Sequence, residues 1–392
     1  MRPRHAAAST RGVPAGTGIH DLPTPCLLLD RSRVDANLAR MRARALELGV
    51  ALRPHMKTCK SAAVARSAMG AGGSPWGGIT VSTLAEAAYF LEAGFDDILY
   101  AVGIAPDKLP IATALMARGA DLKIILDSPE AAMAVDQAGL DAGVVFRVML
   151  ELDCDGHRAG LDPDDPALLE TGEILARGRG CALEGVMTHA GGSYGCSGRE
   201  QLEAMAERER SVAVAAAVAL RGAGLPCGVV SVGSTPTAMS ARGLDGVTEM
   251  RPGAYMFNDL MLERLGVCAL EDLALCTLVS VIGRRPDTGR LITDGGWTSL
   301  SRDRGHGETG YGLVLDAEGG PMDGRVTVLE TTQEHGVLAR SDGRPLDLPV
   351  GTKLRVLPNH ACATGACHDV YHVLGPDGRV EAVWDRCGGW YP

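Results

Sequence analysis

The sequence predicts an α/β protein with an N-terminal (β/α)8 barrel and a C-terminal antiparallel β domain. Between residues 31 and 260, short runs of β-forming residues alternate with Ala-rich stretches of helical character. Eight such units in about 230 residues are typical of a closed parallel barrel. After about residue 262 the helical stretches stop, and alternating apolar runs are separated by Gly, Asp and Pro turns, as in an antiparallel sheet.

The barrel elements begin with a predicted helix from about Ser32 to Leu48. The eight predicted strands that follow are VALRPHMK (50–57), GGITVS (77–82), DILYAV (97–102), LKIIL (122–126), VVFRVMLEL (144–152), LEGVMTHA (183–190), GVVSVG (228–233) and VTEMRPG (247–253). Several helices after them open with a capping residue, as at Thr83 and Ser128. A doubly wound open sheet is the alternative, but no glycine fingerprint follows the first strand.

The β domain is predicted from runs with alternating apolar residues. These runs are LALCTLVSVIGR (273–284), GRLITDGG (289–296), GRVTVLETT (324–332), GTKLRVLPN (351–359) and RVEAVWDRC (379–387). We therefore divide the chain into a disordered tail (1–20), a barrel (21–262) and a β domain (263–392).

Composition narrows the classes of function. The formal net charge of -10 argues against nucleic acid or an anionic membrane as the main partner. No apolar run approaches the ~20 residues that span a bilayer, and the N-terminus lacks the apolar segment of a secretory signal. Eleven cysteines, an odd number spread along the chain, do not form a disulfide framework. We expect a cytoplasmic protein.

Lys57 is the first candidate site residue, because it follows the first barrel strand and active sites of such barrels lie at the C-terminal ends of the strands. A Schiff-base lysine must lose its proton, which an electropositive setting favours. Arg53 and His55 are its neighbours in sequence and would supply that setting. A surface lysine that extends into solvent is the structural alternative.

A candidate phosphate site follows the seventh and eighth strands. Gly233, Ser234 and Thr235 stand between a strand and the start of a helix, where backbone N–H groups favour an anion. The segment RPG (251–253) can supply further donors. Ordinary helix capping by Ser234 or Thr235 is the alternative. A lysine at strand one and a phosphate cradle at strands seven and eight together indicate pyridoxal 5'-phosphate (PLP).

Other polar residues follow the fifth and sixth strands. They are Asp153, Asp155, His157 and Arg158 after the fifth strand, and Thr188, His189 and Tyr194 after the sixth. The DCDG segment suggests calcium, but the later glutamate of an EF-hand loop is absent. Arg158 could hydrogen-bond the phenolic oxygen of PLP, or it could stabilise a turn.

A candidate metal site lies in LPNHACATGACH (357–368). On a strand, His360 and Cys362 would share one face, and imidazole and thiolate are good zinc ligands. Cys367 and His368 could complete a closed structural site, whereas two protein ligands with water and substrate would make an open one. A core cysteine beside a surface histidine is the structural alternative. Gln333, Glu334 and His335 are further possible site residues.

The sequence resembles the D-serine dehydratase and D-threonine aldolase family, which has the alanine-racemase type of PLP fold. The resemblance runs from about Pro23 to Trp390. It rests on DLPTPCLLLD, RPHMKTCKS, ITVSTLAEA, DGHRAG, THAGGSY, VGSTPT, RPGAY and LPNHACATGA. One departure is Cys59, where many members have histidine.

The resemblance implies a role for each candidate residue. Lys57 would form the Schiff base with PLP, and His360 with Cys362 would bind a divalent metal, with zinc expected first and manganese or magnesium as alternatives. The phosphate would meet Ser234, Thr235, Gly253 and Ala254; the pyridine nitrogen would meet Tyr194 or Arg251; and the phenolic oxygen would meet Arg158. The remaining predicted cofactor contacts are His55, Thr188, Gly233 and Tyr255. A homodimer is also expected.

The family chemistry offers two reactions of a β-hydroxy-D-amino acid. In dehydration, Lys57 removes the Cα proton, and the metal helps the hydroxyl to leave. A 2-oxo acid and ammonia result, from D-threo-3-hydroxyaspartate or D-serine. A β-carboxylate would need a cation, for which Arg302, Arg304 and His335 are candidates. In retro-aldol cleavage, a base such as His335 deprotonates the hydroxyl, and glycine and an aldehyde result. A PLP carrier without catalysis is the third interpretation.

Overall fold

The structure is a computed structural model that describes residues 13–70, 78–156, 158–305 and 309–392. The chain forms two compact units. The β unit contains the described residues through Asn37, Met256–Arg264 and Cys268–Arg386, and the barrel unit contains Leu38–Tyr255, Leu265–Val267 and Cys387–Pro392. Residues 21–37 and 256–262, which we predict in the barrel, therefore group with the β unit, whereas residues 265–267 and 387–392, which we predict in the β domain, group with the barrel unit.

Strands and helices alternate through the first two thirds of the chain, and strands predominate after that. The strands are β1 (Cys26–Asp30), β2 (Ala51–Leu52), β3 (Ile79–Val81), β4 (Asp97–Gly103), β5 (Asp121–Leu126), β6 (Phe146–Leu152), β7 (Cys181–Thr188), β8 (Val229–Val232), β9 (Glu249–Met250), β10 (Leu275–Arg285), β11 (Arg290–Thr293), β12 (Leu313–Asp316), β13 (Pro321–Thr331), β14 (Gly336–Arg340), β15 (Lys353–Leu357), β16 (Val370–Leu374) and β17 (Val380–Asp385). The helices are α1 (Arg31–Leu48), α2 (Ala62–Met69), α3 (Leu84–Glu92), α4 (Leu109–Ala117), α5 (Pro129–Ala142), α6 (Pro166–Arg177), α7 (Arg199–Gly222), α8 (Thr235–Ser240), α9 (Leu260–Arg264), α10 (Trp297–Leu300) and α11 (Ala361–Ala366). Short 3-10 helices span Ile19–Asp21, Pro106–Lys108, Gly191–Gly195, Ala254–Met256 and Leu270–Asp272.

The barrel unit contains a sheet of eight parallel strands in the order β2-β9-β8-β7-β6-β5-β4-β3. Its two end strands are joined by a bridge between His55 and Thr80, supported by a hydrogen bond of 2.8 Å from the Met56 N–H to the Thr80 carbonyl. The sheet therefore closes on itself. This confirms the predicted (β/α)8 barrel and excludes the open-sheet alternative.

Helix starts in the barrel follow the capping signals in the sequence. The Thr83 side chain accepts a hydrogen bond from the Glu86 N–H at the start of α3. Ser128 does the same for the Ala131 N–H at the start of α5. These bonds satisfy backbone donors that the first turn leaves unpaired.

A chain of ion pairs runs across the start of the barrel strands. Arg53 contacts Glu249 and Asp97, each at 2.8 Å. Lys123 contacts Asp97 at 2.7 Å and Asp121 at 2.9 Å. Asp97 and Asp121 open β4 and β5, so the Arg53 guanidinium belongs to the N-terminal end of the barrel. Arg53 is thus neutralised by carboxylates, and our prediction that it provides positive charge beside Lys57 is wrong.

The β unit contains a nine-stranded sheet in the order β11-β14-β13-β12-β15-β10-β1-β16-β17. A further pairing of β10 with β11 closes six of these strands into a ring. The neighbouring pairs are antiparallel except β1 with β16, where Leu28 lies beside His372 in a parallel register. The predicted antiparallel β domain is therefore confirmed, with one N-terminal strand added to it.

Successive residues of β10 face the two cores of the β unit, as the period of a strand requires. Leu278 belongs to a buried cluster with Leu28 and Leu357. Val279 belongs to a second cluster with Val328 and Val356, among others. Both faces of this strand are therefore covered, which explains its almost continuous apolar sequence.

The N-terminal segment departs from our prediction of a disordered tail over residues 1–20. Residues 1–12 of that tail lie outside the described residues. The Gly16 N–H donates to the Val380 carbonyl at 2.8 Å, and the Val380 N–H donates to the Thr17 carbonyl at 3.0 Å. Residues 13–20 are thus part of the β unit.

The helices of the described ranges are all too short or too polar to cross a bilayer.

Candidate active site

The loop after β2 carries two lysines in different settings. Lys57 is half-buried, and its backbone N–H lies 3.4 Å from His55 Nδ1. The Lys60 ammonium contacts Glu86 at 3.0 Å, and the Glu86 side chain is fully buried. Moving Lys60 away would leave a buried carboxylate unpaired, which is costly. Lys60 is therefore held by its ion pair with Glu86, and the role of Lys57 as the reactive amine stays a prediction.

Two histidines, the buried His55 and the half-buried His189, lie close to the Lys57 ammonium. Burial, followed by the charge of Lys57, lowers the pKa of His55 well below its usual value. The same two causes lower the pKa of His189 to about 3. Both rings are therefore neutral at neutral pH, so the positive charge at this end of the barrel is carried by lysine and arginine.

His189 is a site residue that our assignment of roles left out. Its Nδ1 lies 3.1 Å from the Gly233 carbonyl, which can only accept, so the proton is assigned to Nδ1 and a lone pair to Nε2. The ring centroid lies 6.4 Å from that of Tyr194. The available signal was its position directly after the sixth barrel strand.

The predicted phosphate loop forms a tight turn between β8 and α8. Gly233 has φ +118°, and a Cβ there would lie 3.0 Å from the Arg251 backbone nitrogen. Ser234 caps α8 by accepting from the Thr237 N–H, and its Oγ lies 3.0 Å from Ser193 Oγ. The capping alternative is therefore realised. It leaves a role in phosphate binding open, because a capped helix start still directs N–H groups outward.

The RPG segment approaches the lysine loop closely. A Cβ on Gly253 would lie 2.6 Å from the His55 carbonyl oxygen, so a larger residue would push the two loops apart. The Tyr255 N–H donates to Thr235 Oγ1 at 3.1 Å, and Tyr255 itself lies in the 3-10 helix that Ala254 begins. The loops after β2, β8 and β9 thus meet at the C-terminal end of the barrel.

Arg251 is fixed from two sides in the barrel interior. Its Nη1 donates to Ser231 Oγ at 2.5 Å, and its Nη2 donates to the Thr188 carbonyl at 2.6 Å. Ser231 in turn donates to Glu249 Oε1 at 2.6 Å. The Thr188 hydroxyl is also committed, because it donates to the Leu152 carbonyl at 2.8 Å. Thr188 therefore contributes through its backbone oxygen to the placement of Arg251.

The other predicted cofactor contacts lie at the barrel's C-terminal end with less defined geometry. Arg158 is exposed and Tyr194 is half-buried. Tyr255 is buried, and burial, followed by the nearby Cys59 thiol, raises its pKa. Its hydroxyl has no hydrogen-bond partner among the described residues. The cofactor roles of these three residues stay predictions.

The DCDG segment is a turn rather than an ion site. Asp153 Oδ1 accepts from the backbone N–H groups of Asp155 and Gly156, at 3.0 and 2.8 Å. Asp155 Oδ2 accepts from the Gly192 N–H at 2.7 Å. These carboxylates hold loops together, while His157 lies outside the described residues.

Glu151, near the end of β6, is a further group that we did not single out. Burial, followed by the charge of Asp127, raises its pKa to about 7, against the opposing charges of Arg158 and Arg251. It is thus a carboxyl group that can exchange a proton near neutral pH.

The predicted metal pair lies in the β unit, but it does not lie on a strand. His360 is the N-cap of α11, and Cys362 is the second residue of that helix. Our strand prediction is wrong here because the Ala-rich segment after His360 turns into a helix. Cys362 nevertheless lies close enough to His360 to raise the pKa of its imidazole.

The groups around His360 favour positive charge at this position. His360 Nδ1 lies 2.6 Å from Asp303 Oδ2. Burial opposes the charged imidazolium, but Cys362, Asp259 and Asp303 outweigh it and raise the pKa of His360 to about 9. A carboxylate on Nδ1 fixes the ring with Nε2 as the metal-facing atom, as in many metal sites. The imidazole and thiol donors therefore fit a divalent metal.

Asp259 stabilises the segment that begins at His360 by accepting backbone hydrogen bonds. Its Oδ2 accepts from the Ala361 N–H at 3.0 Å, and its Oδ1 accepts from the Leu262 N–H at 3.0 Å. The buried carboxylate thus fixes the start of α11 next to His360. Asp259 and Asp303 were not predicted, because their partners are distant in sequence.

The closed four-ligand alternative is not supported. His368 Nε2 lies 2.9 Å from the Ser299 carbonyl, and the Cys367 thiol donates to the Ala363 carbonyl at 3.4 Å. No group of three or more His, Cys, Asp or Glu side chains suited to a metal occurs in the described ranges. The pair His360 and Cys362 therefore fits an open site that other ligands complete.

The remaining predicted residues lie in the same unit as the metal pair. His335 is exposed on the turn between β13 and β14. The Arg302 guanidinium lies 4.2 Å from the centroid of the Trp297 ring. Arg302 and Arg304 flank Asp303, the partner of His360, in the sequence. No described contact assigns a role to His335, which stays a prediction.

Asp303 offers a first prediction. We expect Asp303→Asn to weaken metal binding by about 10- to 100-fold, because loss of the carboxylate leaves the imidazole less basic and less firmly oriented. The measurement is a zinc titration of metal-free protein against a competing chelator. Asp347→Asn is the control, since Asp347 is exposed and pairs with Arg284. Equal affinity in wild type and Asp303→Asn would contradict the assignment.

Fold and site together define a class: a barrel of the alanine-racemase type with a lysine at its C-terminal end, joined to a β domain. The sequence matches the alanine racemase N-terminal domain over residues 29–260 and a serine dehydratase domain over residues 274–374. The chain belongs to this family of fold-type III PLP-dependent lyases.

Three relatives cover almost the whole chain. D-threo-3-hydroxyaspartate dehydratase of Delftia sp. (strain HT23) is 52% identical over 94% of this chain and 98% of its own. D-serine dehydratase of Dictyostelium discoideum is 31% identical over 92% and 96%, respectively. D-threonine aldolase of Arthrobacter sp is 29% identical over 94% and 93%.

Solved structures of the first relative superpose well. A cysteine-to-alanine variant of D-threo-3-hydroxyaspartate dehydratase in its metal-free form has TM-score 0.91 at 50% identity, over 95% of this chain and 100% of that chain. A histidine-to-alanine variant of the same enzyme also has TM-score 0.91, at 51% identity over 95% and 97%. The two substituted positions are two residues apart, the spacing of His360 and Cys362.

Proposed function

We propose that this protein is a PLP- and metal-dependent dehydratase of a β-hydroxy-D-amino acid, with D-threo-3-hydroxyaspartate as the first candidate substrate. The observation that carries the proposal is 52% identity to D-threo-3-hydroxyaspartate dehydratase over nearly the full length of both chains. The products are a 2-oxo acid and ammonia, which would be oxaloacetate and ammonia from 3-hydroxyaspartate.

Lys57 is the proposed attachment point for the cofactor and the base that takes the Cα proton. Its support is its position after β2, where its charge acts on His55 and His189. When bound, PLP supplies an electron sink for the electron pair left at Cα. The neutral rings of His55 and His189 can accept or donate hydrogen bonds there without adding positive charge.

Ser234, Thr235, Gly253 and Ala254 are proposed to hold the phosphate group. Their support is the close approach of the two segments, which the bond from Tyr255 N–H to Thr235 Oγ1 fixes. Arg251 or Tyr194 is proposed to meet the pyridine nitrogen, and Arg158 the phenolic oxygen. Of these, Arg251 is the most firmly held, through Ser231 and the Thr188 carbonyl.

His360 and Cys362 are proposed to bind the divalent metal, with zinc first and manganese or magnesium as alternatives. Their donor atoms, and Asp303 on the second imidazole nitrogen, support this proposal. The metal would supply Lewis-acid assistance to loss of the hydroxyl group. Arg302 and Arg304 are proposed to recognise a β-carboxylate, because they flank Asp303.

The test is an analysis of products from D-serine, D-threonine and the isomers of 3-hydroxyaspartate, each with added zinc, manganese or magnesium. We expect ammonia and a 2-oxo acid in equal amounts, with D-threo-3-hydroxyaspartate consumed fastest. Glycine and an aldehyde would instead establish the retro-aldol reaction that D-threonine aldolase suggests. Absence of turnover with all substrates, together with retained PLP, would favour a carrier.

We also propose a homodimer in the cytoplasm, as the resemblance implies. Sedimentation of the purified protein tests the oligomeric state directly, and a single species with the mass of one chain would contradict it.

A further inference from the structure

Glu209 is a carboxylic acid in the middle of an apolar stripe. The long helix α7 buries residues at intervals of three and four, as the face of a helix packed on a core requires. Its buried residues are Leu202, Ala206, Glu209, Ala213, Ala216, Ala217 and Leu220. Glu209 is the polar member of this set, and only 2% of it is exposed. A buried carboxyl group reduces stability unless hydrogen bonds compensate it.

The hydrogen bonds of Glu209 join two loops of the barrel. Its Oε1 accepts from the Ala190 N–H at 2.8 Å. The Gly233 N–H and the Thr237 side chain also face the carboxyl group, and both favour its charged form against the burial that raises its pKa. Ala190 follows β7, whereas Gly233 and Thr237 precede and begin α8. One side chain therefore bonds to the first of these segments and faces the second.

Both tied segments carry proposed cofactor contacts. His189 immediately precedes Ala190, and Ser234 with Thr235 immediately follows Gly233. The bond from His189 Nδ1 to the Gly233 carbonyl joins the same two segments directly. The Gly233 N–H faces Glu209, so Gly233 is left out of the proposed phosphate donors. Gly233 therefore serves to shape the loop, which its φ of +118° also indicates.

We propose that Glu209 is a positioning residue for the cofactor: it holds the Ala190 turn and the Gly233–Thr237 loop in the arrangement that receives the phosphate of PLP. This inference rests on the proposed function, because it assumes that PLP binds in this loop. Glu209 would act through Gly233 and Thr237 rather than by contact with the ligand. An apolar residue would suit the helix better, so the hydrogen bonds are the reason for a carboxylic acid here.

The proposal separates PLP from pyridoxal, which lacks the phosphate. We expect Glu209→Ala to raise the Kd of the apo-protein for PLP by about 10- to 100-fold, because hydrogen bonds to a carboxylate are lost in a buried site. The Kd for pyridoxal should stay at its wild-type value. Both constants are measured by titration, following the visible absorbance of the lysine-bound form.

Two further variants complete the experiment. Glu209→Gln keeps one carbonyl acceptor and the shape of the side chain, so it should give a smaller loss that is again confined to PLP. It carries the test by itself if Glu209→Ala fails to fold, as judged by circular dichroism. Glu200→Gln is the control, because Glu200 is exposed in the first turn of the same helix, and it should bind both ligands as wild type does.

The outcomes distinguish this inference from the proposed function. Wild-type protein that binds PLP, with variants that bind it equally well, would overturn the role of Glu209 alone. Equal weakening of PLP and pyridoxal would also overturn it, since the effect would then concern the fold rather than the phosphate loop. Wild-type protein that fails to bind PLP would overturn both proposals.

Discussion

Lys57→Arg is expected to abolish turnover and the visible absorbance of bound cofactor together. Arginine keeps the positive charge and much of the length, but its guanidinium stays protonated and cannot form the covalent bond. Loss of proton transfer alone would reduce kcat by about 10²- to 10⁴-fold, and loss of the attachment adds to this. Absorbance spectra and steady-state kinetics of the purified variant measure the two effects.

Lys60→Arg is the matched control for this experiment. Arginine can retain the ion pair with the buried Glu86, so the fold and the loop should be preserved. We expect Lys60→Arg to keep both the absorbance band and activity. Persistence of the band in Lys57→Arg, with its loss in Lys60→Arg, would assign the covalent role to Lys60 and contradict the proposed site.

Cys362→Ala is expected to remove the metal and dehydration while leaving PLP bound. The thiolate is one of only two protein donors in the proposed site, so its loss should weaken metal binding by more than the ~10–100-fold that an outer partner contributes. The cofactor band should remain, because the proposed PLP residues all lie in the barrel unit. Metal content of the purified protein and ammonia release measure the two effects.

Cys367→Ala controls for removal of a thiol near the same helix. Cys367 is exposed and directly follows α11, and it should be replaced without loss of metal or activity. If Cys362→Ala keeps its metal and turns over normally, the metal site lies elsewhere. If it loses metal and PLP in equal measure, the metal is structural rather than catalytic.

The fold was largely predictable because its strands and helices follow from local sequence patterns. Each of the eight predicted barrel runs overlaps a strand of the closed sheet, since buried parallel strands are short apolar runs and the helices between them carry capping signals. Residues 26–30, which form β1, were placed in the barrel, because their partners Cys276 and His372 are more than two hundred residues away. Such pairings leave no mark in local sequence.

The site was predictable where it depends on strand ends and motifs, and less so where it depends on long-range contacts. Lys57 and the 233–235 loop follow directly from their positions after strands. Asp303 meets His360 from another part of the β unit, and Glu209 reaches Ala190 from a helix. Their neighbours in sequence give no reason to separate these two carboxylic acids from the other acidic residues of the chain.

The covalent bond between Lys57 and the cofactor is the claim on which the remaining roles depend. Reduction of the PLP-loaded protein with borohydride, followed by protease digestion and mass spectrometry of the peptides, locates that bond directly. We predict a single phosphopyridoxyl group, on Lys57. The same group found on Lys60 or on any other lysine, with Lys57 unmodified, would contradict the account.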